Sequence, residues 1–269
     1  MLNSFTIQIY EVQEPAEAQM LLDIGVNYIG SVILSEHNRN DPLLKQTINT
    51  VKASKAKSSL IPLFSNIENI IRAIDYYKPD IIHFCDNISD TQNPSGKPSH
   101  EIEKLILNQE KVKTKFPEIK ITRSVPIARP GLAHLVPTIE LAAMFEDVSD
   151  CFLTDTLLVS NRNSKPEKQP VTDFVGITGL VCDWDMAAKL VKSSRIPVIL
   201  AGGISPDNVF ESILKCKPSG IDSCTNTNMV DAKGSPIRFK KDANKVKRLI
   251  NEVRKAVNIL KRKDNQEDF

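Results

Sequence analysis

The residues best suited to chemistry sit in one short stretch, Pro197-Val-Ile-Leu-Ala-Gly-Gly-Ile-Ser-Pro-Asp-Asn-Val209. An apolar run ends there in Gly202-Gly203 and leads into a helix start. Glycine lets the main chain approach a ligand closely, and a helix N-terminus favours negative charge. The chemistry is therefore anion binding, with a small phosphorylated molecule as the expected ligand and Thr225, after the next apolar run, beside it. Two glycines that merely make a tight turn are the plainer alternative. Arg39 can steer a carboxylate or phosphate, though alone it is equally a surface arginine. His83 falls inside an apolar run and reads as a satisfied core histidine. Cys85 is the one thiol expected near a strand's upper end, where a small buried hydrophobe is the ordinary role. Trp184 reads as packing at a helix start.

Short runs rich in Ile, Val and Leu must carry these residues. Candidate strands are Phe5–Glu11, Tyr28–Leu34, Ser59–Phe64, Ile81–Cys85, Ile119–Ile127, Cys151–Asp155, Pro197–Ala201 and Gly220–Cys224. Strands buried on both faces read this way. Helical spacing marks Pro15–Ile24, Ile67–Tyr77, Glu101–Lys115, Leu135–Phe145, Asp183–Lys192, Pro206–Lys215 and Asp242–Lys261. Ser205 is expected to cap a helix with Pro206 in its first position. Gly25 suits the left-handed residue after the first helix. Pro79 and Pro218 stop the helices before strands four and eight.

The alternation predicts an α/β fold, a single (β/α)₈ TIM barrel over residues 1–262 with a flexible tail at 263–269. An open doubly wound sheet shares the alternation, but no glycine-rich dinucleotide loop follows the first strand. Three long segments, 86–99, 156–178 and 225–240, fall on the face where barrels bind ligands. The first suits a tolerated surface insertion best.

Composition narrows the partners. Lys plus Arg is 35 against 33 for Asp plus Glu, a net charge of +2. That balance gives no reason to propose a nucleic acid or membrane partner. The basic run from Lys240 to Lys263 reads as the wet face of a helix. No apolar run is long enough to span a bilayer, and the first residues lack the basic and apolar regions of a signal peptide. The cysteines are odd in number and scattered without a C-x-x-C pair, which points to a reducing, cytoplasmic setting without a disulfide framework or zinc site. Monomer and homodimer both remain open, and no cofactor is expected.

From Cys151 onward the chain resembles phosphoribosylanthranilate isomerase, a tryptophan-pathway barrel that performs an Amadori rearrangement. PVILAGGISPDNV is similar to that family's seventh strand and phosphate loop, and Pro218-Ser-Gly-Ile-Asp222 to the start of its eighth. Phe152-Leu-Thr-Asp155 resembles the sixth strand, which ends in the catalytic aspartate. Gly176-Ile-Thr-Gly179 followed by Asp183-Trp184 resembles its Gly-Gly-Thr-Gly…Phe-Asp-Trp segment. Gln13–Ala18, Gly30 and Arg39 echo the first helix, the second strand and a substrate-contacting arginine. The resemblance implies that Asp155 donates a proton to the ring oxygen. It also implies that Arg39, Gly176, Thr178, Gly179, Gly202, Gly203, Thr225 and Asn226 bind substrate.

The departures are as informative. The family's first strand ends Lys-Ile-Cys-Gly, with the cysteine as base; here the residues are Gln8-Ile9-Tyr10-Glu11. Tyr10 holds the base's position, and a tyrosine titrating near its ordinary value of about 10 is a poor base at neutral pH. Cys85 is the thiol that could replace it. Gln-Leu-His-Gly of the fourth strand is His83-Phe84-Cys85-Asp86. Ser-Ser-Gly-Val-Glu of the eighth is Cys224-Thr225-Asn226-Thr227-Asn228, and the Gly-Gly pair before Thr178 is Gly176-Ile177. Three functions remain in view: a divergent isomerase, a barrel enzyme for another phosphorylated metabolite, or a non-catalytic phosphate-binding relative.

Overall fold

The computed structural model describes residues 5–89, 99–159 and 168–267. Eight parallel strands close into one barrel in sequence order. They are β1 (Thr6–Ile9), β2 (Tyr28–Ile33), β3 (Lys57–Pro62), β4 (Ile81–Phe84), β5 (Lys120–Ala128), β6 (Cys151–Leu157), β7 (Val198–Leu200) and β8 (Gly220–Ser223). Closure is direct, because Ile9 of β1 stands against Ser223 of β8. All carboxyl ends therefore share one rim. The helices form the outer layer: α1 (Pro15–Asp23), α2 (Pro42–Lys52), α3 (Ile67–Tyr77), α4 (His100–Lys115), α5 (Thr138–Phe145), α6 (Trp184–Ser193), α7 (Val209–Cys216) and α8 (Ala243–Glu267). No helix among the described residues is long and apolar enough to cross a membrane.

The elements differ from the sequence expectations in several places. Helix α2 was not among the named patterns. Its start is nonetheless encoded: the Asp41 carboxylate accepts from the Leu43 and Leu44 N–H groups, Pro42 opens the helix, and Leu44, Ile48 and Val51 face inward. Helix α7 begins at Val209, not Pro206. Ser205 instead closes a turn, its hydroxyl accepting from Asp207 N, while Asn208 bonds back to Ser205 N and the Gly203 carbonyl. The long segment after β8 folds into an antiparallel hairpin, β9 (Asn228–Val230) and β10 (Pro236–Lys241). Helix α8 continues to Glu267, since no glycine or proline after Lys261 stops it. Parts of the insertions named above, residues 90–98 and 160–167, lie outside the described residues.

Lys78 and Lys217 end α3 and α7 in the left-handed conformation (φ 49° each), just before Pro79 and Pro218. The core splits into the layer between barrel and helices and a smaller interior group of Tyr10, Val32, Leu153, Ile199 and Ala201. Among the described charged residues, Arg123 is the one with no exposed surface. Arg123 of β5 is fully buried, with Nη1 donating to Asp86 Oδ2 and Nη2 to the Asp86 carbonyl, both at 2.9 Å. Its guanidinium lies 4.6 Å from the Phe145 ring centroid. The pair pins the end of β4 to β5, which explains an aspartate where the resembled motif has glycine.

Breaking a buried pair leaves a charge without compensation and costs about 3–5 kcal/mol. Asp86→Ala is therefore expected to lower unfolding stability by that amount in urea titration. A loss below about 1 kcal/mol would contradict the burial of Arg123.

Candidate active site

The ends of the strands enclose a cavity of about 690 Å³, taken to its open mouth. One wall is apolar, built from Val32, Ile61 and Leu63 at the ends of β2 and β3. The opposite wall carries Gly179, Gly202, Gly203, Thr225 and Asn226. Asp155 and Asp222 lie in the lining as well, with Tyr10 and Cys85.

Strand register explains the placement of the two carboxyls. Leu153 pairs with Ile199, and Ile199 with Gly220. Two residues further along each strand stand Asp155, Ala201 and Asp222, in one row on the inward face. Alanine between them leaves the space across the mouth open. Asp155 Oδ1 accepts from Thr156 N at 2.9 Å. Its other oxygen lies against Gly176, where a Cβ would stand only 2.0 Å away, and Gly176 has φ 102°. Burial of the carboxyl raises its pKa from the usual carboxylate range to about 7.

Tyr10 stands two residues nearer the rim than Gln8, the ladder partner of Asp222. Its ring packs on Gly30, where a Cβ would fall 2.1 Å from Cδ1. Its hydroxyl contacts Ser59 Oγ at 2.5 Å and His83 Nδ1 at 2.8 Å, and His83 Nε2 meets Ser124 Oγ at 2.9 Å. Burial pushes the phenol further above its ordinary range. The same burial, with the Arg123 charge, holds His83 neutral by lowering its pKa to about 3. Burial and the neighbouring Asp86 raise the Cys85 thiol. None of these groups is poised to accept a proton at neutral pH.

The glycine wall is tied together by side-chain amides. Asn226 Nδ2 and Asn208 Nδ2 each donate to the Gly203 carbonyl at 3.0 Å, which sets the direction of that peptide. Gly202 and Gly203 take φ of 82° and 67°. Thr178 Oγ1 accepts from Leu180 N, and Thr225 packs beside Gly179. Arg39 stands apart: it is not in the cavity lining, and its Nη1 donates to the Glu36 carbonyl at 3.2 Å.

Two departures from glycine are structurally revealing. Glu11 and Ile177 both keep a left-handed backbone, φ 62° and 61°, where the resembled motifs have glycine. Glu11 is held there by Arg238 of the hairpin, whose Nε donates to its carboxylate at 2.7 Å. Sequence reasoning missed Glu11, Arg238 and Asp222 as site residues. For Asp222 a signal existed, an acid inside an otherwise apolar strand, as at Asp155. Arg238 lies 227 residues from Glu11 and gave none.

A family model described as N-(5'-phosphoribosyl)anthranilate (PRA) isomerase matches residues 136–252. Over 230 residues the chain is 30% identical to N-(5'-phosphoribosyl)anthranilate isomerase 2 of Methanosarcina mazei, covering 85% of this chain and 87% of that protein. Its fold is similar to monomers of the dimeric isomerase from Thermotoga maritima, with TM-score 0.62, 15% identity and coverage of 93% and 98%. It is also similar to an isomerase in complex with reduced 1-(o-carboxyphenylamino)-1-deoxyribulose 5-phosphate, with TM-score 0.59, 14% identity and coverage of 93% and 98%.

Adjacent substitutions should respond oppositely. Gly176→Ala drives a methyl into the Asp155 carboxyl at a disfavoured φ and is expected to cost about 1–3 kcal/mol in urea unfolding. Ile177→Gly removes a β-branched residue from a left-handed site and is expected to be neutral or stabilising by up to about 1 kcal/mol. Equal losses at both positions would contradict this backbone.

Proposed function

The chain belongs to the N-(5'-phosphoribosyl)anthranilate isomerase family, and we propose that it catalyses that family's Amadori rearrangement, in tryptophan biosynthesis, within the barrel-mouth cavity. The observation that carries the site assignment is Asp155, a half-buried carboxyl lining the cavity together with glycines and apolar side chains. Such a cavity matches a substrate with a phosphate at one end and an aromatic ring at the other.

The phosphate is assigned to the backbone around Gly202 and Gly203, with Thr178, Gly179, Thr225 and Asn226 around it. A compact anion is favoured where glycine exposes main-chain N–H groups. The aromatic ring takes the wall of Val32, Ile61 and Leu63. Arg39 completes the set by leaving the Glu36 carbonyl to meet the ring's carboxylate. Asp155, backed by Gly176, then faces the ribose. As the acid, it gives its proton to the ring oxygen while the C1–O bond breaks. The electron pair on nitrogen forms the C=N bond of the opened sugar. An acid titrating near 7 is about half protonated at neutral pH, which suits this task. Only proton transfers are needed, so the reading calls for no metal or redox cofactor. The five free thiols agree with a cytoplasmic setting, and the chain acts as a monomer or homodimer.

The test is an assay with phosphoribosylanthranilate, joined to complementation of a tryptophan auxotroph. Activity limited by the Asp155 acid should fall as pH rises through about 7. Asp155→Asn is expected to lose at least roughly 10²-fold in kcat. Gly203→Glu should abolish calorimetric binding of inorganic phosphate. No turnover by wild type, or equal phosphate affinity in Gly203→Glu, would count against the reading.

A further inference from the structure

We propose that Asp222 is the base that takes the C2 proton of the opened sugar, the task for which the first-strand cysteine is missing. The assignment rests on the isomerase reading above. Three observations converge on it. Asp222 lines the same cavity as Asp155 and occupies the same row, one strand beyond Ala201. Its residue is 7% exposed, and its buried Oδ1 has no hydrogen-bond partner among the described residues. Its ladder partner on β1 is Gln8, a neutral residue where the resembled motif carries lysine. The other groups near the mouth are engaged or masked: the Tyr10 hydroxyl by Ser59 and His83, and Glu11 by Arg238.

Backbones two strands apart lie roughly 9.6 Å from each other at the usual spacing. A ribose chain therefore fits with one carboxyl on either side. The titratable and charged groups facing Asp222 are Asp155 from β6, Glu11 and Tyr10 at the end of β1, Cys224 beyond β8 and Lys241 of β10. Burial and then the Asp155 charge raise its pKa, while Gln8 and Lys241 pull it down. Two carboxyls that repel within one cavity hold one proton between them, and the reactive form is the one with the proton on Asp155 and Asp222 ionised.

The steps balance. Asp155 gives its proton to the ring oxygen as C1–O breaks and C=N forms. The Asp222 carboxylate takes the proton from C2, and the C–H pair becomes C1=C2 while the C=N pair returns to nitrogen. Asp222 then returns the proton to C1 as the C2 hydroxyl gives its own to Asp155. C2 ends as the ketone, C1 is reduced, and both carboxyls are restored.

The test measures kcat and KM for phosphoribosylanthranilate in Asp222→Asn, Asp222→Ala and Tyr10→Phe. Asp222→Asn is expected to lose at least roughly 10²-fold in kcat with KM within a few-fold. Added formate should restore part of the activity of Asp222→Ala, a rescue that a misfolded or merely structural variant would not show. Tyr10→Phe should keep kcat within about tenfold. Independently of turnover, ¹³C-carboxyl NMR should show the Asp222 titration midpoint falling in Asp155→Asn. An active wild type with Asp222→Asn within tenfold of it would overturn the proposal and leave the isomerase reading intact. An Asp222 midpoint that ignores Asp155→Asn would overturn the pairing, and an inactive wild type would end the isomerase reading itself.

Discussion

Holding a half-buried carboxyl group among protein atoms at the mouth of the barrel is the constraint around which the site is built. A carboxylate loses its hydration there, so Asp155 shifts toward its protonated form, and the fold has to tolerate that cost. The tolerance is local. Gly176 gives the carboxyl room that any Cβ would take away, and the Thr156 N–H supplies one compensating bond. Register does the rest, because the strand pairing puts Asp155, Ala201 and Asp222 on one ladder row with their side chains facing inward. A shift of one residue in β6 or β8 would send either acid to the helix-facing side.

The same economy appears at position 10. A cysteine there would be small and free, whereas Tyr10 is large and fully bonded. Its phenol joins Ser59, His83 and Ser124 into a polar network across β1, β3, β4 and β5. Each member satisfies another, so the network stabilises the barrel interior and takes His83 out of acid–base chemistry. The replaced glycines tell a parallel story. Glu11 and Ile177 retain left-handed backbone angles, so the loop shapes survive although the residue that makes them easy is gone. At Glu11 the cost of about 1–2 kcal/mol is offset by a charge-assisted bond from Arg238. The hairpin is thereby coupled to the rim of the site.

Much of the fold was legible because buried parallel strands are written as short Ile- and Val-rich runs. Strand β4, Ile81–Phe84, fell within its expected bounds for that reason. Helix α2 was overlooked between two glycine-poor, polar segments, although Asp41-Pro42 and the spacing of Leu44, Ile48 and Val51 encode it. The β9–β10 hairpin was not legible, since Met229, Val230 and Ile237 are exposed and give no alternating buried face. Of the site, the glycine wall and Asp155 were readable from local motifs. Asp222 was visible only as part of a motif, because its meaning depends on strand register. Arg39 was placed by similarity alone, and its bond to the Glu36 carbonyl is a local turn contact that motif spacing does not report.

The central claim is that one cavity holds the substrate with its ribose between two carboxyls. A crystal structure with reduced 1-(o-carboxyphenylamino)-1-deoxyribulose 5-phosphate bound tests it most directly. The account requires the phosphate on the Gly202–Gly203 backbone, the aromatic ring against Val32 and Ile61, and hydrogen-bond contacts from both Asp155 and Asp222 to the ribulose chain. A ligand seated elsewhere, or one lying in this cavity without touching either carboxyl, would contradict it.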